Sequence, residues 1–330
     1  MKLRTQKVMR SEPFPSSPNF NPWTIVYHSV GSTNSNMGRT GVVTNQSRFA
    51  NRHFDIQRDL GEFFLTNTRA RAYFAEEAAS VPEYFSSMTG PVTALSGTES
   101  IDSTERLSLP DPQRLSLPLS TVLERRESVR RFTGDSMELE DLATILHACA
   151  GVSHILKATP IDGGPDYEVR CHNVPSAGGL YAVDCYCFVL RINHLKAGVY
   201  KYLPYNHSFA KLHSEASVES MKHSIAPTAA SGIDPDKLAV ALVFVGNPQK
   251  AVRKYAARGV RYILLEAGMM AFSANLAATA LGYATLDYQS FQDEEVERNL
   301  AISLRSQYPF HMLLIGWPLD SQRKGGGHHD

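Results

Sequence analysis

Four arginines surround one serine in the stretch LERRESVRRF, Leu123 to Phe132: Arg125, Arg126, Arg130 and Arg131 about Ser128, just before an expected helix. A phosphate needs charge-assisted donors at short range. Arginine offers a planar fork, and the hydroxyl in Arg126-x-Ser128-x-Arg130 adds a neutral donor. The spacing is equally that of a solvated basic surface paired with Glu124 and Glu127. A second stretch, Pro175–Tyr181 (PSAGGLY), carries Gly178 and Gly179, which let backbone amides approach a planar ring or an anion with no Cβ in the way. A third, Lys201–Tyr202, sits on an apolar strand. A desolvated lysine there would have a lowered pKa and act as a base, with the tyrosine relaying or orienting a proton. Neighbouring strand residues point to opposite faces, so a bulge or a strand end is needed to bring both to one site. The alternative is that one snorkels and the other packs.

Other chemistries lack their motifs. There is no GxGxxG or Walker A pattern, no HExxH, no histidine pair at metal spacing and no GxSxG. No metal is expected. His207, His213 and His223 have polar surroundings, and His311 reads as a core histidine with a hydrogen-bond partner. Cys149, Cys171, Cys185 and Cys187 form no CxxC pair, and Cys185 and Cys187 alternate onto one strand face, as buried structural thiols do.

The elements that must position these residues follow in order. Helices are expected at Leu119–Arg126 and at Leu139–Ala150, the latter capped by Ser136 or Asp135 and ended by Gly151. Residues 159–170 read as a loop. Strands follow at Cys185–Ile192 and Gly198–Leu203 as a hairpin-like pair, then a weak helix at Met221–Ala230 and a strand buried on both faces at Leu238–Val245. Val260–Leu281 is a long helix, apolar nearly all round, suited to a core or a subunit interface. A helix beginning FQDEEVERNL and a strand Tyr308–Gly316 close the domain. The order is mixed α+β. Upstream, residues 1–104 read as an extension, partly irregular and partly helical between Asn51 and Ala79. Two copies of RLSLP, at Arg106–Pro110 and Arg114–Pro118, lie in a Pro-rich linker near the domain boundary. The main domain is placed at 105–320 and a flexible tail at 321–330.

Lys+Arg and Asp+Glu both count 33, so the balanced charge points to no nucleic acid. No apolar run reaches the ~18–20 residues that span a bilayer, and the basic N-terminus lacks the apolar core of a secretory signal. The expectation is a cytoplasmic protein with no membrane partner.

Taken in order, ERRESVRRF, VPSAGGLY, GVYKY, RGVRYILLEAGMMAFSANLAATALG, FQDEEVERNL and MLLIG resemble the nitroreductase-like flavin fold, and most of all its SagB-type dehydrogenase branch, over residues 105–318. That branch includes the azoline oxidases of ribosomal peptide natural products. The faint YHS match at Tyr27–Ser29 adds little. The resemblance implies a mostly antiparallel sheet flanked by helices, FMN as cofactor and a homodimer with its sites at the interface. It implies that Arg126, Ser128 and Arg130 hold the phosphate and ribityl chain and that Pro175, Ser176, Ala177 and Gly178 lie along the flavin. Gln289–Ser290 stand where the branch usually has Gly-Gly before a phenylalanine, a departure that bears on side-chain contact but not on backbone contact. Lys201–Tyr202 match the branch's Lys-Tyr pair, with Lys201 the base and Tyr202 its assistant. The implied substrate is a heterocyclised peptide, with a cyclodehydratase complex as partner. The implied reaction oxidises thiazoline or oxazoline rings to thiazoles or oxazoles, the flavin accepting a hydride. A general nitro or quinone reductase using NAD(P)H and a scaffold subunit of a peptide-modifying complex are the other two readings.

Overall fold

The computed structural model describes residues 56–69, 105–158, 166–212, 216–225, 232–302 and 306–319. Expectations placed on residues 1–55, Tyr27–Ser29 among them, on residues 70–104, on His213, on residues 226–230 and on the tail at 321–330 lie outside the described residues. The chain divides into two compact units, Met1–Arg71 and Ala72–Asp330. The first contains helix α1 (Ile56–Asn67), which ends where the Thr68 hydroxyl donates to the Phe64 carbonyl.

The second unit is built on a seven-stranded sheet in the order β1-β6-β5-β4-β7-β9-β8, with every neighbouring pair antiparallel. Its strands are β1 (Arg106–Ser108), β4 (Val183–Val189), β5 (Gly198–Leu203), β6 (Ser208–Lys211), β7 (Val240–Gly246), β8 (Ala284–Tyr288) and β9 (Tyr308–Gly316). A separate hairpin pairs β2 (Val152–Ala158) with β3 (Tyr167–His172). The α+β class with a helix-flanked antiparallel sheet is as expected. Three local readings are corrected. The first RLSLP copy supplies edge strand β1 rather than linker, the end of the expected 159–170 loop is β3, and a strand the periodicity missed, β8, closes the far edge.

Side-chain alternation gives the sheet two dry faces. Cys185, Cys187, Tyr202, Phe244 and Leu313 pack beneath helices α3 (Leu139–Ala150) and α6 (Gly259–Ala280). Tyr186, Phe188, Val243 and Met312 face the opposite way, toward α4 (Val218–Ile225) and α7 (Asp293–Leu300). β7 is buried along its whole length, as its unbroken apolar run requires. Helix α2 (Leu119–Arg125) precedes the arginine-rich stretch. The cap of α3 differs from expectation: Glu138 is the N-cap, and its side chain accepts from Asn193 at 2.6 Å rather than capping the helix, while Asp135 accepts from the Thr133 hydroxyl at 2.7 Å. Cys149, Cys185 and Cys187 are buried and unbridged, and the neighbouring Cys185 thiol, with burial, pushes the Cys149 thiol well up. The helical stretch Pro248–Ala280, which ends in α6, is long and apolar enough to cross a bilayer, but 56% of its most apolar window is buried in the domain, as a core helix is.

Candidate active site

Strand β5 pairs in unbroken register with both neighbours, Lys201 opposite Tyr186 and Ala210, Tyr202 opposite Phe209. With no bulge, the two side chains part company, and the expectation that they meet is corrected. Tyr202 enters the core under α3 and α6, where its hydroxyl lies 2.8 Å from His207 Nδ1, while His207 Nε2 lies 2.8 Å from the Pro110 carbonyl. A carbonyl only accepts, so Nε2 carries the hydrogen and Nδ1 receives the tyrosine proton. Burial lowers the His207 pKa, which keeps that ring neutral. The Tyr202 phenol is driven well above its usual range by burial, then by the nearby thiols.

Lys201 emerges on the other face and forms a 2.8 Å ion pair with Asp184, with its ammonium 5.5 Å from the Tyr186 ring centre. Burial pulls its amine down, but Asp184 and Tyr186 together outweigh burial and the net shift is upward. The expected lowering is therefore corrected: a carboxylate within 3 Å restores what desolvation removes.

The PSAGGLY loop is shaped by residues the sequence reading passed over. Gly178 (φ 62°) and Gly179 (φ 66°) adopt the left-handed conformation, followed by Tyr181 (φ 43°). Helix α5 (Pro248–Tyr255) lies over the loop. Lys250 and Lys254, four residues apart and so on one helix face, donate to the carbonyls of Tyr181 (3.5 Å) and Gly178 (3.3 Å). A Cβ at Gly178 would collide with the Lys254 amine and the Tyr255 hydroxyl. Lys254 and Tyr255 are thus a second Lys-Tyr pair, and both converge on one glycine. The helix breaks just after them, with Ala256 at φ 47°. Burial lowers the Lys254 amine. Burial, and then Tyr262 in edge contact at 5.0 Å, raises the Tyr255 phenol. One signal for α5 was present: Asn247 caps it by accepting from Gln249 N, with Pro248 at the first helical position.

Below the loop, the buried Glu266 of α6 accepts from the Ser176 hydroxyl and from Val183 N. The Ser176 hydroxyl also accepts from Tyr181 N, so it is turned inward.

The arginine-rich stretch does not precede a helix directly. It leaves α2 as an extended segment whose Val129 N donates to Thr285 O at 2.9 Å, and α3 begins only at Leu139. Alternation buries Val129 and exposes Ser128 and Arg130. Among the described residues no ion pair joins these arginines to Glu124 or Glu127, so the paired-surface reading loses its partners. Gln289 and Ser290 follow β8, the strand whose Thr285 pairs with the arginine stretch. Gln289 bonds His311 Nδ1, and His311 Nε2 lies 2.9 Å from Asp287. Asp287 also accepts from Asn275, and it is held below its usual pKa by His311 first, with Asn275 and Arg126 contributing.

The candidate residues therefore fall into two groups: 175–178 with Lys254 and Tyr255, and the stretch 126–130 paired to Thr285 of β8, with 289 and 290 just beyond the same strand. Glu266 serves the first and Asn275 the second. Nine residues of helix are half a turn out of phase, so the two groups lie on opposite flanks of α6. Between those flanks, on the side away from the sheet, Leu264, Leu265, Met269 and Phe272 are 40–62% exposed, next to exposed Leu119 and Leu123 of α2.

Residues 123–317 match the model of the nitroreductase family. A protein of Methanocaldococcus jannaschii with a nitroreductase name, MJ1384, is 30% identical over 213 residues, covering 64% of this chain and 96% of its own length. The microcin B17-processing protein McbC of Escherichia coli is 29% identical over 149 residues, covering 43% of this chain and 53% of its own. Among solved structures, a nitroreductase-type protein of Ralstonia eutropha superposes with TM-score 0.52 at 24% identity, covering 66% of this chain and 92% of that one. The E. coli microcin synthetase McbBCD complex with truncated pro-MccB17 bound superposes with TM-score 0.50 at 20% identity, over 82% of this chain and 99% of that one. By family model and by relatives, the resemblance drawn from the ordered motifs holds: this chain belongs to the nitroreductase family.

Proposed function

We propose that this chain is a dehydrogenase that oxidises thiazoline or oxazoline rings in a peptide precursor to thiazoles or oxazoles. The observation that carries the reading is the pair Lys254 and Tyr255 lodged against Gly178, a buried base candidate beside a glycine-opened loop. The similarity to McbC supports the substrate class.

FMN is the cofactor of the family. The residues present fit it. Arg126, Arg130 and the exposed Ser128 form a cationic cradle with no ion pair among the described residues, suited to a phosphate. The loop 175–179 offers backbone unobstructed at Gly179, where a Cβ would meet nothing within 4 Å. Arg126, Ser128 and Arg130 would hold the phosphate end. Pro175, Ala177 and Gly178 would line the ring, as would the backbone of Gln289 and Ser290, while Ser176 shapes the loop from beneath. Arg126→Ala should weaken FMN binding roughly 10- to 100-fold, the loss of one charge-assisted bond, measured by flavin fluorescence. An unchanged affinity would return this arginine to the solvated surface.

Aromatisation removes a proton from Cα and a hydride from Cβ of the ring, two hydrogens in all. FMN, when bound, supplies the two-electron acceptor. The chain supplies the proton chemistry. Lys254 Nζ, lowered by burial, is an amine able to take the Cα proton, which the adjacent imine and carbonyl acidify. Tyr255, raised by burial, stays protonated and donates a hydrogen bond that orients a substrate acceptor. Mass spectrometry of a heterocyclised peptide incubated with the protein tests the reading: loss of two hydrogens per ring supports it, and an unchanged mass with flavin bound overturns it.

A homodimer is part of the proposal. The cofactor groups flank α6 on opposite sides in one chain, and the exposed apolar face between them suits a second copy that would bring one flank against the other's partner flank. Phe272→Glu should halve the mass measured by light scattering and release the flavin with it. A dimer that persists would place the interface elsewhere. A peptide-heterocyclising partner complex, such as a cyclodehydratase, is the proposed setting. A second reading, a nitro or quinone reductase fed by NAD(P)H, is favoured by the full-length likeness to the M. jannaschii protein. It gives a buried lysine base no task, and rapid nicotinamide-driven turnover of nitroaromatics would select it.

A further inference from the structure

Glu266 is 4% exposed in the core beneath the PSAGGLY loop. Its two oxygens are tied to the two ends of that loop. Oε2 accepts from the Ser176 hydroxyl at 2.5 Å, and Oε1 accepts from Val183 N at 3.0 Å. The Ser176 hydroxyl in turn accepts from Tyr181 N at 2.9 Å, closing a ring of hydrogen bonds around residues 176–183. Three loop residues within that ring, Gly178, Gly179 and Tyr181, have positive φ. For Tyr181 this is a conformation held only where the surroundings impose it.

We propose that Glu266 is the positioning residue of this loop, holding residues 176–183 in the shape that brings Gly178 against Lys254 and Tyr255. It touches neither cofactor nor substrate. It acts through Ser176, whose hydroxyl hydrogen it commits inward, so Ser176 braces the loop rather than offering its side chain to the flavin. This inference rests on the family's flavin site and not on the azoline reading.

Charged and titratable groups reach Glu266 from each neighbouring element: Lys250 from α5, Asp184 from β4, Ser176 and Tyr181 from the loop, and at one remove Lys201 of β5 through its pair with Asp184. Burial raises the Glu266 carboxyl to about 7, against the pull of Ser176, Val183 and Lys250, with Asp184 adding to the rise. Protonation puts a hydrogen on one oxygen and weakens an acceptor that either Ser176 or Val183 needs. The brace is accordingly tightest above pH 7 and slackens below it.

Amide hydrogen exchange of the full-length protein, read on peptides spanning 176–184 and corrected for intrinsic rates, tests this directly. In the wild type the Tyr181 and Val183 amides should exchange about tenfold more slowly at pH 8 than at pH 6. In Glu266→Gln, whose amide cannot ionise, that difference should vanish. In Glu266→Ala exchange should be fast at both pH values, and FMN binding should weaken by about tenfold. Phosphate titration of FMN is common to all variants and cancels in the comparison. A folded Glu266→Ala protein with wild-type protection overturns the proposal, as does a Glu266→Gln protein that keeps the pH dependence. Should Glu266→Ala not fold, Ser176→Ala removes one arm of the brace alone and must still speed Tyr181 exchange; protection unchanged in that variant overturns the proposal equally. No readout uses ring oxidation, so failure here and failure of the azoline reading remain distinct.

Discussion

Lys254→Met is expected to slow azoline oxidation by about 10²- to 10⁴-fold, the usual worth of a positioned general base, and to leave FMN bound. Lys254 is 3% exposed, its amine donates to the Gly178 carbonyl at 3.3 Å, and burial lowers its pKa. A base must be neutral to take a proton, so wild-type turnover should rise with pH through that lowered value and then level off. Methionine keeps the apolar stem, and with it most of the packing, while removing the amine. The residual activity should therefore lose the rising limb of the pH profile. The measurement is turnover against pH, with the flavin absorption spectrum as control. Wild-type turnover in this variant would remove Lys254 from the mechanism. Loss of turnover accompanied by loss of flavin would mean that Lys254 serves the loop rather than the proton.

The chain contains two adjacent Lys-Tyr pairs, and the sequence alone had no means to choose between them. Residue types are identical at Lys201–Tyr202 and Lys254–Tyr255; the difference is conformational. On strand β5 neighbouring side chains diverge by the period of two, and Lys201 and Tyr202 do so. At the end of α5 the helix breaks at Ala256, and Lys254 and Tyr255 both reach Gly178. Helix α5, PQKAVRKY, is two turns long and mostly polar, its stripe reduced to Pro248, Ala251, Val252 and Tyr255, so periodicity passed over it although its Asn-Pro start was readable. What was legible followed from burial. The unbroken apolar run of β7, the small-residue helix α6 and the alternating cysteines of β4 each declared which faces are dry. β1, β2, β3, β6 and β8 were not legible as strands. β1 and β6 are three and four residues long, β2 carries exposed Ile155 and Leu156 that hide any inside-outside alternation, and β8 follows directly on the long helix. The phosphate cradle was legible as a cluster of charge. Its true setting was not, because an extended segment paired to Thr285 depends on a contact more than 150 residues away in sequence.

Asp184→Ala is expected to cost roughly 3–5 kcal/mol of folding stability at neutral pH, because it strands a buried cation. Lys201 and Asp184 are paired at 2.8 Å with side chains only 7% and 11% exposed. In the wild type the folded-state pKa of Lys201 is raised above its unfolded value. Its contribution is therefore fully present below about pH 10.5 and is lost as pH rises through the folded value. Without Asp184, burial, the largest of the effects on this amine, is opposed by Tyr186, whose phenol burial itself raises and so keeps uncharged near neutral pH, and the sign reverses. The folded state then binds fewer protons than the unfolded chain, so stability of the variant should climb from neutral pH toward about pH 10.5. Lys250, lowered by burial with Asp184 opposing, adds to the same trend. Urea titrations at pH 7, 8.5 and 10 measure it, and a variant whose deficit stays constant with pH would refute the account. The double variant Asp184→Ala with Lys201→Met removes both charges, and by the logic of buried pairs it should recover most of the loss. That double variant also separates the two lysines. If it folds, binds flavin and still oxidises azolines, Lys201 is a structural cation and the proton chemistry belongs to Lys254. If it folds with flavin bound and turnover is gone, the base stands on β5 after all.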